Sequence, residues 1–323
     1  MIIGITGITS GLGKRLAEIL SEKKYKIKAL IRETSDVNNL PKNIDYIYGD
    51  LSNVEALKKL INNIDICIHI AAQVSHTSYK NYYEVNVKGT NNICKTILEI
   101  NPDCRIIHCS TISTLKVNPF FKIKSSNYAI SKYYGEKIVI KYSKNNNLKY
   151  TIIYPGLIYG KYDKTLLPQA IKLIKYNMIK LIKGGEKKVP LIYVDDLCDL
   201  FIKVIENKKS INKRYISVKG LDIGVHDFFK ILADKLGFTI SKKTYNKIPL
   251  FIFAIIQEII YKIFKKDKNP IITRTYVDIM SINMKNYKKK YDDPKTDLNW
   301  EQNVTKEYLI NNINNLIKHY IDK

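Results

Sequence analysis

Short apolar runs recur through the first half of the chain, at residues 2–6, 25–31, 44–48, 65–70, 104–109 and 149–154, with polar, helically spaced segments between them. Runs this short suit strands covered on both faces better than helices. The stretch from Leu12 to Leu20 has the period of an amphipathic helix instead. Strands alternating with helices predict an α/β fold, a doubly wound parallel sheet of Rossmann type with right-handed crossovers. Ligands of such sheets gather at the carboxyl ends of the strands. The pattern changes after Gly160. Residues 161–191 read as an excursion carrying one helix, 192–207 as a return to the sheet, and 208 onward as a more helical cap. The expected division is therefore 1–160 with 192–207 as the sheet domain, and 161–191 with 208–323 as a smaller, mostly helical substrate-binding region.

One apolar stretch needs a separate decision. Residues 248–264 contain Gln257, Glu258 and Lys262 and begin near Pro249, which is short and interrupted for a membrane span. A lid helix is the first expectation, with Leu250, Phe251, Phe253 and Ile256 lining a pocket. The alternative is a peripheral membrane contact, with Lys262, Lys265 and Lys266 near anionic headgroups.

The net charge of +24 invites a nucleic-acid partner, but the basic residues are almost all Lys and are scattered. Abundant Asn, Ile and Tyr point to a compositional bias with a solvated Lys surface, so no nucleic-acid partner is expected. The positive field still favours anionic ligands. Five Cys without a Cys-x-x-Cys pair imply reduced, buried thiols and a cytoplasmic setting. The isolated His residues give no ligand spacing, so no metal is expected. No secretory signal precedes the first strand. Glu136 and Asp163 read as surface carboxylates, and Asp195 and Asp196, ahead of a helical run, as N-caps.

The chemistry lies in two places. Gly7-Ile8-Thr9-Ser10-Gly11-Leu12-Gly13 joins the first strand to the first helix, which sets backbone N–H groups and a helix N-terminus where a pyrophosphate binds. Ser110-Thr111 end the fifth strand, and Tyr128-Ala129-Ile130-Ser131-Lys132 opens the following helix. A phenol can exchange a proton with a carbinol oxygen, an ammonium one turn on can lower the phenol's pKa, and Thr111 can hold the oxygen. Chance alone yields roughly four Tyr-x-x-x-Lys matches in a chain this rich in both residues. Of the matches at Tyr128, Tyr133, Tyr176, Tyr215, Tyr261 and Tyr291, only the first follows a buried strand ending in hydroxyls.

With these motifs the chain resembles the extended short-chain dehydrogenase/reductases of the NAD-dependent epimerase/dehydratase kind over nearly its whole length. Thr6-Gly7-x-x-x-Gly11-x-Gly13 resembles their cofactor loop, Gly49-Asp50-Leu51-Ser52 their adenine contact, and His69-Ile70-Ala71-Ala72 their strand end under the pyrophosphate. Asn86 to Asn92, Tyr154-Pro155-Gly156-Leu157-Ile158-Tyr159-Gly160, Ile192 to Leu197 and Asp297-Leu298-Asn299-Trp300 match further landmarks. The resemblance implies that Thr111, Tyr128 and Lys132 are catalytic. It also implies that Gly7, Ile8, Thr9, Ser10, Gly11, Leu12, Gly13, Asp50, Leu51, Ala71, Ala72, Asn86, Lys132, Tyr154 and Pro155 bind cofactor. Asn86 would orient Lys132 through water or serve as a helix-packing amide.

Arg32, ending the second strand, suits the 2′-phosphate of NADP(H), with Lys14 as a second cation; Glu33 leaves NAD(H) as the alternative. Two departures bear on the small-molecule substrate. Leu157 stands where nucleotide-sugar enzymes carry Asn, and Val189 where they carry a basic residue, with Lys187 and Lys188 the nearest substitutes. This favours the pattern of 3β-hydroxysteroid dehydrogenases and dihydroflavonol reductases, which interconvert secondary alcohols and ketones. The alternatives are a nucleotide-sugar epimerase, dehydratase or 4-reductase of surface polysaccharide synthesis, and a catalytically silent NADP(H) sensor or scaffold. A homodimer is expected through Ile93, Ile97 and Ile100 on one helix and Ile138, Val139 and Tyr142 on another, unless these face the sheet.

Overall fold

A computed structural model describes residues 1–75, 77–118, 125–218, 223–264, 270, 272–281 and 291–321. The six apolar runs form β1 (Ile2–Thr6), β2 (Lys26–Ile31), β3 (Ile44–Tyr48), β4 (Ile66–His69), β5 (Arg105–Cys109) and β6 (Tyr150–Tyr154). Later in the chain come β7 (Leu157–Tyr159), β8 (Leu181–Ile182), β9 (Leu191–Tyr193), β10 (Lys213–Ile216) and β11 (Thr244–Tyr245). The helices of the sheet region are α1 (Gly11–Glu22), α2 (Val54–Ile61), the single turn α3 (Tyr79–Tyr82), α4 (Gly89–Ile100) and α5 (Asn127–Asn146). They are followed by α6 (Leu166–Lys175), α7 (Val194–Glu206), α8 (Val225–Leu236), α9 (Lys247–Phe264), α10 (Arg274–Met280), α11 (Pro294–Leu298) and α12 (Lys306–Ile321).

Seven parallel strands make the central sheet, in the order β10-β6-β5-β4-β1-β2-β3. Chain order reverses between β1 and β4, so connections leave in opposite directions there and open a crevice at the carboxyl edge. Ile-rich strands suit this position because both faces are covered; every residue of β5 is buried. The seventh strand lies in the stretch that sequence assigned to the cap. Its Tyr215 is fully buried in the sheet core, and the Tyr215 hydroxyl donates to Asp297 Oδ2 at 3.0 Å. Leu298 and Trp300 share that core, so the C-terminal segment returns to the sheet as well.

A second apolar core stands apart from the first. It gathers Leu167, Ile171 and Ile174 of α6, Phe228, Phe229 and Leu232 of α8, and Leu309, Ile313 and Ile317 of α12. Two short parallel pairs, β7 with β9 and β8 with β11, lie outside the central sheet.

Several sequence expectations change here. Ile93, Ile97 and Val139 are completely buried in the sheet core, so they offer nothing to a partner chain; Ile138 and Tyr142 pack on that core while Ile100 stays exposed. Asp195 and Asp196 sit inside the first turn of α7, not ahead of it. Asp195 accepts two bonds from the Arg15 guanidinium, at 2.7 and 2.9 Å, and Asp196 accepts from the Val304 N–H at 3.0 Å. Asp163 is buried and accepts from the N–H groups of Thr165, Leu166 and Leu167, closing the start of α6. Glu136 is buried beside Tyr154, and burial pushes its carboxyl pKa up.

Candidate active site

A cleft of about 730 Å³ runs along the carboxyl edge of the sheet, from the ends of β2 and β3 across the β1–β4 crevice to β5 and α5. Its floor begins at the glycine loop. Gly7 adopts φ +81°, and a Cβ there would lie 2.5 Å from Ala71 N, so only glycine lets the loop rest on the end of β4. Ser10 caps α1: its hydroxyl accepts from Gly13 N–H at 3.0 Å and donates to Gly7 O at 2.8 Å. That bond fixes the direction of the helix N-terminus, whose remaining N–H groups suit an anion.

Gly7, Thr9, Ser10, Gly11 and Leu12 line the cleft, whereas Ile8 is buried in the sheet core and Gly13 packs beneath the loop. Arg32, Asp50, Leu51, Ala71, Ala72 and Pro155 also line it. Asp50 Oδ1 accepts from the Ser52 N–H at 2.7 Å and the Ser52 hydroxyl at 2.6 Å. These bonds hold the Asp50 carboxyl below its ordinary range. Arg32 is exposed on the cleft, but Glu33 is not part of its wall. Lys14 is buried on α1, 3.8 Å from an Asp36 carboxylate oxygen, and is not part of the wall either.

Two expected ligands play other parts. Tyr154 is fully buried against the Tyr291 ring, 4.9 Å between centroids, and lies outside the cleft. Asn86 sits in a π-helical turn, Tyr83–Lys88, that leads into α4. It spends its amide on protein groups: Oδ1 accepts from Gln73 N–H at 2.7 Å, and Nδ2 donates to Gln73 O at 3.1 Å and Ser131 Oγ at 2.9 Å. Asn86 thereby ties the segment after β4 to α5, holding Gln73 in the cleft wall. Sequence reasoning missed Gln73, Ser35 and Tyr162 as wall residues. None carries a motif, and each arrives through chain reversal.

At the far end stand Thr111, Tyr128 and Lys132. Ser126 caps α5, accepting from Ala129 N–H at 3.2 Å, so the helix presents Tyr128 in its first turn. Tyr128 and Thr111 share a hydrogen bond, and the Tyr82 ring lies 6.2 Å from that of Tyr128. Burial pushes the Tyr128 phenol pKa up, and the Thr111 bond works against that rise. Lys132 is 2 % exposed and its Nζ donates to Cys109 O at 2.7 Å, at the end of β5. An ammonium has three donors, so two remain for other oxygens. Burial lowers the Lys132 pKa. Its charge acts on Cys109 and on two buried imidazoles.

Those imidazoles, His69 and His108, face each other across β4 and β5, with ring centroids 5.2 Å apart. His69 bridges the Thr6 and Thr90 hydroxyls at 2.8 and 3.0 Å. Burial, helped by Lys132, holds His69 down to about 3 and lowers His108 as well, so both are neutral. Ser110 Oγ, buried at the cleft, has no hydrogen-bond partner among the described residues. Leu157 packs on the second core and Val189 is buried within it.

A profile of the NAD dependent epimerase/dehydratase family matches residues 3–218. UDP-glucose 4-epimerase from Vibrio cholerae is 25% identical over 293 residues, spanning 84% of this chain and 84% of that one. The 2-alkyl-3-oxoalkanoate reductase of Shewanella oneidensis is 23% identical over 296 residues, spanning 84% and 75%. In fold, the structure is similar to UDP-glucose 4-epimerase from Thermotoga maritima, with a TM-score of 0.67 at 18% identity over 100% of this chain and 99% of that chain.

Proposed function

The chain belongs to the NAD dependent epimerase/dehydratase family, and within that family we propose an NADP(H)-dependent oxidoreductase that interconverts a secondary alcohol and a ketone. One observation carries the reading: a single cleft has a capped helix N-terminus and Arg32 at one end, and Thr111, Tyr128 and Lys132 at the other. The residues fit a dinucleotide. A Cβ at Gly7 or Gly11 would meet the backbone of Ala71 or Tyr162 at 2.5 Å, so the glycines let the loop fold tightly while it lines the cleft. The loop N–H groups and the α1 terminus would hold the pyrophosphate, and Arg32 the 2′-phosphate.

A nicotinamide bound there would supply or accept the hydride. Thr111 and Tyr128 hold the substrate oxygen between two hydroxyls. In the reducing direction Tyr128 gives its proton to that oxygen; in the oxidising direction it takes one back. Lys132, anchored on Cys109 O, keeps two donors for a ribose and for the phenolate, offsetting the burial that disfavours ionised Tyr128. Leu157 and Val189 pack on the second core and lie outside the cleft wall, so neither position supplies the grip on a sugar nucleotide that Asn and a basic residue would; this supports a hydrophobic alcohol or ketone as substrate.

A second reading has its own support. Lys116 Nζ donates to Asp278 O at 2.7 Å and to Ser281 Oγ at 3.1 Å, and Lys187 Nζ donates to Ser281 O at 2.9 Å. Lys247 acts on the same group, and burial together with these cations brings Lys116 down to about 7. This group of three Lys around Asp278, outside the cleft wall, is the feature that supports an anionic substrate such as a nucleotide sugar.

Release and identification of the copurified nucleotide separates the readings. Exchangeable NADP(H) supports the reductase. Tightly held NAD, which an epimerase or dehydratase regenerates each turnover, would move the assignment to the sugar branch. The assembly put forward is a homodimer through the outer faces of α4 and α5, where Leu98, Ile138 and Tyr142 are part-buried. A monomeric mass by light scattering would rule it out.

A further inference from the structure

The helix-length apolar stretch of the chain, α9, turns one apolar face outward. Its inner face is anchored: Leu250 and Ala254 are buried in the second core, and Glu258 Oε2 accepts from Arg274 Nε at 2.8 Å. Gln257 Oε1 accepts from the Ile272 N–H at 3.4 Å. On the outside, Ile248, Ile252, Ile256, Ile259, Ile260 and Ile263 follow one another at helical spacing, each between 43% and 73% exposed, with Phe253 and Phe264 flanking them. Phe253 and Ile256, expected from sequence to line a pocket, point away from the cleft. Elsewhere among the described residues the exposed large apolar side chains fall singly or as close pairs. A stripe this continuous marks a surface that something covers.

Charge decides between two occupants. Lys242, Lys243 and Lys247 are exposed in the stretch that leads into the N-terminal end of the stripe. The one acidic residue of α9, Glu258, is spent on Arg274. Pairing two copies of the helix in parallel would set these Lys against their own copies, and in an antiparallel pair α9 has no carboxylate left to receive them, because Glu258 is held by Arg274. An anionic lipid surface meets the same pattern with opposite charge below an apolar layer. No helix of the described residues is long and apolar enough to cross a membrane, so contact would be in the plane of the interface.

We infer that α9 docks flat on an anionic lipid bilayer, sinking its Ile and Phe face to the acyl boundary while Lys242, Lys243 and Lys247 hold headgroups. The docked helix is wired to the catalytic helix. Arg274, held by Glu258, donates from Nη1 to Ser125 O at 3.2 Å, next to the Ser126 cap of α5. Docking thus brings the Tyr128 end of the molecule to the lipid. The inference goes beyond the proposed reaction and does not depend on it, because binding is read without turnover.

The test is sedimentation of the full chain with vesicles of phosphatidylcholine alone or mixed with phosphatidylserine. Partitioning should be about tenfold or more stronger on the anionic vesicles and should weaken with salt. The exposed-face variant Ile256→Glu with Ile260→Glu should lose about tenfold or more of that binding at an unchanged melting temperature. Ile252→Gln with Ile263→Gln, which adds no charge, should lose binding in the same way. Wild-type protein that stays in the supernatant with both vesicle types overturns the inference. So does an Ile→Gln variant that binds as well as wild type. A wild-type dimer that these substitutions make monomeric, without vesicle binding, also overturns it and assigns the face to a second copy.

Discussion

Substituting Gly13→Ala probes the floor of the cleft without touching any group that does chemistry. A Cβ at residue 13 would lie 2.3 Å from Gly7 O and 2.7 Å from Ile8 Cα. Ordinary contacts begin about 1 Å farther out, and the obstructing atoms are backbone, so no rotamer change relieves the overlap. Gly7 cannot retreat either, because it rests on Ala71 N. In an open helical site alanine would gain up to about 1 kcal/mol over glycine. Overpacking here should reverse the sign and cost about 1–3 kcal/mol. The loop would move by roughly 1 Å relative to the α1 N-terminus, and misplacement on that scale weakens a positioned interaction by on the order of a hundredfold. Chemical denaturation gives the first quantity and fluorescence titration with NADPH the second. A variant that is as stable as wild type, or more so, and binds NADPH equally well would refute the reasoning.

Arg32→Ala should weaken NADPH about tenfold or more while leaving NADH nearly unchanged, by parallel titrations, since a charge-assisted contact would be lost. Asp163→Ala removes the acceptor for three N–H groups at the start of α6 and should cost about 1–2 kcal/mol in the same denaturation assay. His69 is held down to about 3 from an ordinary 6.5, so the unfolded chain binds the proton first. Its contribution is complete above pH 6.5 and is lost as pH falls from there toward 3. By linkage the loss reaches at most about 5 kcal/mol. The urea midpoint should fall between neutral pH and pH 5, and by less in His69→Gln; equal slopes in the two proteins would contradict the assignment.

Much of the sheet was readable because burial on both faces leaves unbroken Ile-rich runs, and six of these became β1–β6. The seventh strand, Lys213–Ile216, was missed: it is short, starts with two basic residues, and is recruited by pairing with β6. The same locality limit hid the carboxylates. Nothing near Asp163 or Glu136 in sequence announces that each is buried. His69 and His108 read as isolated because their neighbourhood arises from the β4–β5 register. For α9 the apolar run gave the helix but not its rotation, so Phe253 and Ile256 were turned inward in expectation and outward in the fold. At the site, the helical turn from Tyr128 to Lys132 was legible from spacing, whereas Thr111 was joined to them by the resemblance; all three line the one cleft. The part played by Asn86, bracing Gln73 and Ser131, depends on partners that only the fold supplies.

The central claim is that Tyr128 moves the proton in a hydride transfer within this cleft. It is tested most directly by Tyr128→Phe, assayed for NADPH oxidation against a panel of apolar ketones alongside an NADPH titration of the same preparation. The account predicts a loss of kcat of about a hundredfold or more with NADPH affinity nearly intact, because the hydroxyl acts in the transition state and not in holding the dinucleotide. Full turnover by Tyr128→Phe, on any ketone that the wild-type protein reduces, would contradict it.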